Sequence, residues 1–370
     1  MEALVSPDPA FWAGKRVFLT GQTGFKGAWL WQWLLRLGAH PAGWALDPET
    51  SPNLWSETDG DEAGRGDLRD AEGLRAAMRE AAPDIVLHLA AQALVLRSYR
   101  DPAGTVASNV LGTMNLLEAV RQAPSVRALL CVTTDKVYLD RGHAHPYREE
   151  DPLGGRDPYS ASKACAEILA AAWRHSFLDE AGVAVATARA GNVIGGGDWS
   201  ADRLVPDCLA AFGRGETVSI RHPAATRPWQ HVLEPLCGYL LLAESLHRAA
   251  TGEGPAVQGA WNFGPDPREA RPVSWIADRI AASWGEGARW RRRDGAGPRE
   301  TGFLAVDAAK ARRHLGWQPR LSLDQALDWT VAWHRRHAAG VPAVDLVREQ
   351  IAVYEALPAA PFAAMPEAAE

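Results

Sequence analysis

Short apolar runs alternate with longer amphipathic stretches through the first half of the chain. Runs of mostly apolar residues predict buried strands at 16–20, 42–46, 84–89, 127–133 and 183–188. Segments with apolar residues at helical spacing predict helices at 27–37, 71–82, 105–121 and 158–172. Because strand and helix alternate, the pattern predicts an α/β fold whose parallel sheet is covered by helices on both faces.

The alternation stops after Gly191, where Gly, Pro and Arg residues interrupt the apolar runs. A chain of 370 residues usually divides into more than one core, so we expect two lobes. The first is predicted to be a Rossmann-type doubly wound parallel sheet over residues 11–191, joined by a returning helix at about 232–249. The second is predicted to be a smaller mixed C-terminal lobe over 192–231 and 262–356, followed by a loose tail at 357–370.

Composition argues against several classes of protein. The net charge is −6 and no basic block occurs, so we expect no nucleic-acid partner. The apolar stretch 238–243 is too short to cross a bilayer, and residues 1–10 do not resemble a signal peptide, so no membrane association is expected. The four cysteines form no Cys-x-x-Cys pair, which is typical of reduced thiols in a cytoplasmic protein. His143 and His145 have no cluster of further ligands nearby in sequence, so we expect no metal.

A glycine-rich turn follows the first predicted strand and precedes the first long helix. It reads Gly21-Gln22-Thr23-Gly24-Phe25-Lys26-Gly27. Glycines at this spacing permit a tight turn and a close approach to a pyrophosphate, which the helix N-terminus also attracts. The turn therefore predicts dinucleotide binding.

Two carboxylates are candidates for the adenosine half of such a dinucleotide. Asp47 ends the second predicted strand, where it could accept hydrogen bonds from a ribose 2′-hydroxyl and so favour NAD over NADP. The alternative is a turn residue before Pro48. Asp67 and Leu68 could meet the adenine edge, and the alternative for Asp67 is an ordinary loop carboxylate.

Tyr159 and Lys163 lie four residues apart on a predicted helix, and therefore on one face of it. A neighbouring ammonium favours the phenolate, so we expect it to lower the pKa of Tyr159 and make the tyrosine a usable base. Most pairs at this spacing are ordinary surface residues. Here the pair follows both the glycine turn and the sequence Thr133-Thr134-Asp135-Lys136, and this order predicts a redox site.

These motifs together resemble the extended short-chain dehydrogenase/reductase family. The resemblance includes the segment His88-Leu89-Ala90-Ala91-Gln92 at a strand end, and Asn109 in the following helix. Within that family, longer segments are similar to the branch of CDP-glucose 4,6-dehydratases: 23–27, 134–136, 151–155, 189–199 and 225–232. The chain departs from that branch at Gln22, Val137, Leu139-Asp140 and the loop 143–145.

The resemblance implies an NAD-dependent dehydration of CDP-glucose in which C4 is oxidised, water leaves across C5–C6, and the hydride returns to C6. It implies that Tyr159 takes the C4 hydroxyl proton and that Lys163 holds the phenolate and bonds the nicotinamide ribose. Thr134 would orient O4. Asp135 would be the elimination acid and Lys136 the base, although their division of roles stays open. The implied NAD contacts are the glycine turn, Asp47, Asp67, Leu68, Ala90, Ala91, Gln92, Asn109, Tyr159 and Lys163.

The resemblance also places substrate binding in the second lobe. Arg227 and Asn192 are the main diphosphate candidates, with Asn262 and Arg299 beside them, and Arg203 and Leu204 near the nucleoside. For each arginine the alternative is a solvated surface charge. A homodimer or homotetramer is implied. The other functions left open are a dehydratase or 4-epimerase for another nucleotide sugar, and a non-catalytic NAD-binding regulator.

Overall fold

A six-stranded parallel sheet organises the larger lobe, in the spatial order β10-β5-β4-β3-β1-β2. The computed structural model describes residues 6–58, 60, 64–142, 145–285, 287–293 and 304–357. Its strands are β1 (Arg16–Thr20), β2 (His40–Trp44), β3 (Ile85–His88), β4 (Ala128–Val132), β5 (Ala184–Ala190), β6 (Asn192–Ile194), β7 (Val218–Ile220), β8 (Thr226–Arg227), β9 (Trp229–His231), β10 (Gly259–Phe263), β11 (Arg271–Pro272) and β12 (Trp290–Arg292).

Helices cover both faces of the sheet and form most of the smaller lobe. Their bounds are α1 (Pro9–Trp12), α2 (Phe25–Arg36), α3 (Ala71–Ala81), α4 (Val95–Arg100), α5 (Pro102–Val106), α6 (Gly112–Arg121), α7 (Pro158–Trp173), α8 (Leu204–Gly213), α9 (Leu233–Ala250), α10 (Val273–Trp284), α11 (Ala309–Leu315), α12 (Leu323–Ala338) and α13 (Ala343–Ala356). Two π-helical turns, Ala107–Leu111 and Arg174–Leu178, follow α5 and α7.

The central strands are buried on both sides, which explains why they read as apolar runs. In β1, Val17 and Leu19 belong to the core under α2 and α9, whereas Phe18 belongs to the core under α3 and α6. Successive strand residues point to opposite faces, so a sheet between two helical layers needs apolar residues at every position. The predicted Rossmann-type α/β fold is confirmed.

Three of the predicted elements begin two or three residues earlier than expected. Helix α2 begins at Phe25, because Gly24 takes the N-cap position at the end of the glycine turn. Strand β2 begins at His40, two residues before its predicted start. The helix predicted to begin at Thr105 begins at Pro102, where the Asp101 side chain caps the helix by accepting from Gly104 N.

The smaller lobe packs around its own apolar cluster, which joins α8, α10 and α12. The predicted assignment of all of 262–356 to this lobe is wrong in two respects. Strand β10 pairs in parallel with β5 and extends the main sheet, so Asn262 lies in the larger lobe. Helix α13 packs beside α2 in the main core, through residues such as Val347 and Ile351. The predicted tail lies outside the described residues from 358 onward.

Seven of the sixteen tryptophans are among the largest fully buried side chains, in keeping with the packing role that their number indicates: Trp12, Trp29, Trp33, Trp55, Trp261, Trp317 and Trp333. Among the described helices, none is long and apolar enough to cross a membrane.

Candidate active site

A cleft of about 1380 Å³ opens at the carboxyl ends of the sheet strands, between the two lobes. The chain leaves β1 at the glycine turn, β3 at Leu89, β4 at Thr133 and β5 at Gly191, and all four exits line this cleft. In a parallel sheet the strand ends meet at one edge, where ligands of doubly wound folds bind. Motifs far apart in sequence are thus brought to one place.

The glycine turn is shaped by two close approaches of backbone to backbone, at Gly21 and Gly27. Gly21 has φ +80°, and a Cβ there would lie 2.6 Å from Ala90 N. A Cβ on Gly27 would lie 2.0 Å from Gly21 O, whereas one on Gly24 would lie 3.4 Å from the same atom. Gly21 and Gly27 are therefore required by the turn itself, and Gly24 is the glycine that leaves space facing the cleft.

Alanine at Gly27 is expected to destabilise the fold by about 1–3 kcal/mol, because its Cβ would push against the backbone of Gly21. Alanine at Gly24 is the matched control and should leave the free energy of unfolding nearly unchanged. Urea unfolding without added ligand measures both. Equal stability of the two variants would contradict this account of the turn.

The two carboxylates expected to hold adenosine line the cleft, but each has an arginine partner. Asp47 pairs with Arg65 at 3.0 Å and its side chain is 88% exposed. Asp67 pairs with Arg69, and hydrogen bonds from that side chain lower the pKa of Asp67. Both carboxylates line the cleft beside the predicted Leu68, Ala90, Ala91 and Gln92, although Arg69 donates to both oxygens of Asp67.

Asn109 is placed differently from the prediction. Its side chain is buried and does not line the cleft. Its amide accepts from Gln92 N at 2.7 Å and donates to Gln92 O at 3.0 Å and to Ser162 Oγ at 2.9 Å. These bonds occupy the amide, so Asn109 holds the segment at Gln92 against α7. The prediction that Asn109 contacts the cofactor is therefore corrected to a structural role.

Tyr159 and Lys163 lie on the first two turns of α7, at the centre of the cleft. The Asp157 side chain caps this helix by accepting from Ser160 N at 2.9 Å. Lys163 Nζ donates to Val132 O at 2.8 Å, and burial lowers its pKa to about 8. Burial also raises the pKa of Tyr159, although its hydrogen bond with Thr134 opposes that rise. The predicted net lowering of the tyrosine pKa is therefore wrong for the chain without a cofactor.

The turn after β4 brings Thr134, Asp135 and Lys136 to the same place. Thr134 Oγ1 donates to Asp135 Oδ1 at 3.1 Å, and Lys136 Nζ lies 3.8 Å from that oxygen. The Asp135 side chain is 1% exposed and its Oδ2 has no hydrogen-bond partner, whereas Lys136 is 27% exposed. A Cβ on Gly191 would lie 2.9 Å from Oδ2, so a glycine at 191 makes room for this carboxylate.

A buried ion pair supports this arrangement, and the sequence analysis missed it. Glu167 lies one helical turn beyond Lys163 and pairs with Arg189 of β5 at 2.9 Å. Its carboxylate also accepts from Thr133 Oγ1 at 2.5 Å and from Thr187 Oγ1 at 2.6 Å. The pair thus joins α7, β5 and the residue before Thr134. The signal in the sequence is the row of Tyr159, Lys163 and Glu167 at four-residue spacing.

Glutamine at Glu167 is expected to destabilise the protein by about 3–5 kcal/mol, because it leaves the Arg189 guanidinium buried without a counter-charge. Glu180→Gln, at an exposed position, makes the same chemical change as a control. Thermal and urea unfolding check the result. A Glu167→Gln protein as stable as the control would contradict the account of this pair.

Lys26, predicted as part of the glycine turn that contacts NAD, is also near Asp135. It lines the cleft on the first turn of α2, and burial, together with the charge of Arg203, lowers its pKa to about 7. The charge of Asp135 acts in the opposite direction. Gln22, beside it in the turn, is buried and donates to Gly64 O at 2.9 Å.

The predicted substrate residues divide into three groups. Asn192, Arg203, Leu204 and Arg227 all line the cleft. Asn262 does not, because its amide is used by Tyr138 Oη at 2.7 Å, Tyr147 O at 3.0 Å and Asp307 O at 3.2 Å. It is corrected to a structural residue. Arg299 lies outside the described residues, as does His143. No cluster suited to a metal ion occurs among the residues described.

The chain is similar to known sugar-nucleotide dehydratases and epimerases over most of its length. A CDP-glucose 4,6-dehydratase of Salmonella typhimurium is 45% identical over 94% of this chain and 98% of its own. The dTDP-glucose 4,6-dehydratase DesIV of Streptomyces venezuelae, solved with NAD bound, is 25% identical, with a TM-score of 0.73 over 88% of this chain and 98% of its own. A UDP-glucose 4-epimerase of Thermus thermophilus in complex with NAD is 26% identical, with a TM-score of 0.69 over 86% and 99%.

The sequence model of the family described as GDP-mannose 4,6 dehydratase matches residues 18–330, which include the glycine turn, the segment 133–136, Tyr159 and Lys163, and most of the smaller lobe. That match covers every residue that lines the cleft except His334. The family resemblance read from the motifs is thereby confirmed, and the chain belongs to the GDP-mannose 4,6 dehydratase family.

Proposed function

We propose that this protein is a hydro-lyase that converts CDP-D-glucose to CDP-4-dehydro-6-deoxy-D-glucose with NAD as a catalytic cofactor. The observation that carries the proposal is the meeting of two motifs in one cleft. Tyr159 and Lys163 are suited to oxidation at C4, and Asp135 and Lys136 are suited to elimination across C5–C6. The 45% identical CDP-glucose 4,6-dehydratase supports the choice of substrate.

The residues of the cleft fit NAD. The space at Gly24 and the first turn of α2 suit a pyrophosphate, because the positive end of the helix lies at the cleft. We assign the adenosine to Asp47, Asp67 and Leu68, and the nicotinamide half to Lys163 and the segment Ala90–Gln92. The larger lobe is thus the proposed NAD-binding domain. When bound, NAD supplies a hydride acceptor that is regenerated as the hydride returns.

We assign oxidation at C4 to three residues. Tyr159, as the phenolate, takes the proton of the C4 hydroxyl and becomes neutral. The positive charge of Lys163 stabilises the phenolate before that transfer. Thr134 orients O4, since its hydroxyl lies between Tyr159 and Asp135. Oxidation makes the C5 proton acidic, because that carbon is then adjacent to a carbonyl.

We assign elimination to Asp135 and Lys136. Asp135, which is buried beside Thr134, gives its proton to the departing C6 oxygen, which leaves as water, and the resulting carboxylate takes a proton from solvent before the next turnover. Lys136 as a neutral amine takes the C5 proton and later returns it to C5. A 4-epimerase needs neither group, so the pair favours a dehydratase over that alternative.

The smaller lobe is the proposed substrate domain. Arg227 is buried at the cleft wall on β8, and Arg203 lies at the N-cap position of α8, so the smaller lobe brings two arginines to the cleft lining. Guanidinium groups match diphosphate oxygens, and the Asn192 amide adds a neutral donor.

The product mixture tests the proposed function. The protein is incubated separately with CDP-, UDP- and dTDP-glucose and NAD, and products are identified by mass spectrometry. Loss of one water from CDP-glucose without accumulation of NADH is expected. Loss of water from UDP-glucose or dTDP-glucose but not from CDP-glucose would keep the proposed reaction and change the assigned substrate. Unchanged masses throughout would contradict dehydration and lead to epimerase assays.

We further propose a cytoplasmic homodimer or homotetramer. Large apolar side chains are exposed along α4 to α7 and on the π-helical turns that follow α5 and α7: Tyr99, Val106, Leu111, Ile168 and Phe177. A second copy would remove these side chains from water. Sedimentation velocity should therefore show at least a dimer, and a monomer at micromolar concentration would contradict the assembly.

A further inference from the structure

A short basic segment lies beside the cleft, and the proposed reaction does not use it. All residues of 289–293 except Trp290 are arginines, so this segment is positively charged although the net charge of the chain is −6. It corrects the expectation that no basic block occurs. The segment includes β12, which pairs in parallel with β7 of the smaller lobe.

The pairing places Arg291 on the open face of the two-stranded β7–β12 sheet. In the register of the two strands, Trp290 is opposite Val218 and Arg291 is opposite Ser219. Val218 and Trp290 pack into the apolar cluster of the smaller lobe. Because successive strand residues point to opposite faces, Ser219 and Arg291 point away from that cluster, and both are exposed.

This open face adjoins the cleft. Arg291 Nε donates to Ser219 Oγ at 3.1 Å, and Arg293 N donates to Ile220 O at 2.8 Å, which continues the pairing beyond the end of β12. Ser219 and Ile220 line the cleft, as does Arg221, which follows them in the chain. Three arginines are therefore carried by one stretch of the cleft wall or by the strand paired with it.

These arginines have no close counter-charge in the described part of the chain. Within that part, no carboxylate oxygen lies within 4.0 Å of a side-chain nitrogen of Arg221, Arg291 or Arg293. By contrast, Arg69 and Arg97, which also line the cleft, each pair with a carboxylate. An arginine without a neighbouring carboxylate contributes its full charge to the electric field around the protein.

The substrate of the proposed reaction is an anion, because its diphosphate is ionised at neutral pH. Salt screens the attraction between exposed charges over about 30 Å at 0.01 M and about 3 Å at 1 M. Positive charge at the wall of a cleft raises the local concentration of an anion and speeds its association by about 10- to 10³-fold. A local positive region matters on this chain, since its net negative charge repels an anion elsewhere.

We propose that Arg291 and Arg293 steer the diphosphate of the nucleotide sugar into the cleft, and so act on the rate of association rather than on the bound complex. This inference rests on the proposed function and deepens it, because it names the surface that first attracts the substrate. It does not depend on the base, since CDP, UDP and dTDP carry the same charge.

Stopped-flow mixing measures the association rate directly. CDP, UDP and dTDP are mixed separately with the protein saturated with NAD, and binding is followed by the fluorescence of Trp199 and Trp229, which line the cleft. In the double variant Arg291→Gln, Arg293→Gln, kon at about 0.01 M salt should fall about 3- to 10-fold with koff unchanged. Glutamate at both positions doubles the change in charge, so kon should fall about 10- to 100-fold.

Two controls separate steering from direct contact and from net charge. At about 1 M salt, the variants and the wild-type protein should associate at equal rates, because screening removes the long-range attraction. The double variant Arg36→Gln, Arg79→Gln removes the same charge from the last turns of α2 and α3. Because α2 begins at the cleft, its last turn lies toward the opposite edge of the sheet, and kon should stay close to the wild-type value at both salt concentrations.

Two results would overturn the inference. One is a wild-type kon in the Arg291→Gln, Arg293→Gln protein at low salt. The other is a loss of affinity that persists at about 1 M salt as faster dissociation, which would make these arginines direct contacts. A protein that binds nucleotide diphosphates but dehydrates no sugar nucleotide would count against the proposed function alone. A protein that binds none of the three nucleotides would overturn both.

Discussion

Replacing Tyr159 with phenylalanine is expected to abolish oxidation at C4 while leaving NAD bound. The hydroxyl of Tyr159 is the proposed acceptor of the C4 proton, and it is buried at the centre of the cleft beside Thr134. Loss of a positioned general base lowers turnover by about 10²- to 10⁴-fold. Because phenylalanine fills the same space, the fold and the cofactor affinity should be preserved.

Two measurements separate this expectation from a structural defect. Absorbance at 340 nm in a rapid mixing experiment follows the reduced cofactor, and it should not rise in the variant. Isothermal calorimetry should give the wild-type affinity for NAD. Tyr99→Phe, at an exposed position on α4, is the control and should behave as wild type. Substantial turnover by Tyr159→Phe would remove this tyrosine from the proposed role.

Replacing Lys136 with alanine is expected to slow elimination far more than oxidation. Lys136 is the proposed base for the C5 proton, and its Nζ lies 3.8 Å from the buried Asp135 carboxylate. Without it, turnover should again fall by about 10²- to 10⁴-fold, but the oxidation step should remain. The variant should therefore accumulate reduced cofactor and a 4-keto sugar, which Tyr159→Phe should not.

Exchange of the C5 proton with deuterated water isolates this step. The exchange should be slow in Lys136→Ala and unchanged in Lys15→Ala, which alters a lysine before β1 and outside the cleft lining. Exchange in Lys136→Ala at the wild-type rate would exclude Lys136 as the base. In that case Lys26, whose pKa burial lowers to about 7, is the next lysine lining the cleft to replace.

The sequence predicted the central strands well because their physical cause is local. Strands such as β3 and β4 lie between two helical layers, so nearly every residue is apolar and the run stands out. Strand β10 was missed for the opposite reason. It is short, follows an irregular stretch, and exists because it pairs with β5, which is far away in the sequence. Sequence pattern alone contains no sign of that pairing.

The same distinction applies to the site. The glycine turn and the Tyr159–Lys163 pair are defined by residues close together in sequence, so the sequence alone predicts them. Both line the cleft in the structure. The roles of Asn109, Asn262 and Glu167 depend on partners far along the chain, such as Arg189 and Tyr138. The sequence therefore cannot distinguish an asparagine that contacts a ligand from one, such as Asn109 or Asn262, that holds the walls of the cleft. The hydrogen bonds in the structure distinguish the two roles.

The central claim is that one hydride leaves C4 and returns to C6 of the same sugar. CDP-glucose deuterated at C4 tests it most directly. The account predicts a product that has lost one water and carries the deuterium at C6, with no deuterium lost to solvent. Deuterium retained at C4 in a product of unchanged mass would show epimerisation, or no reaction, and would contradict the account.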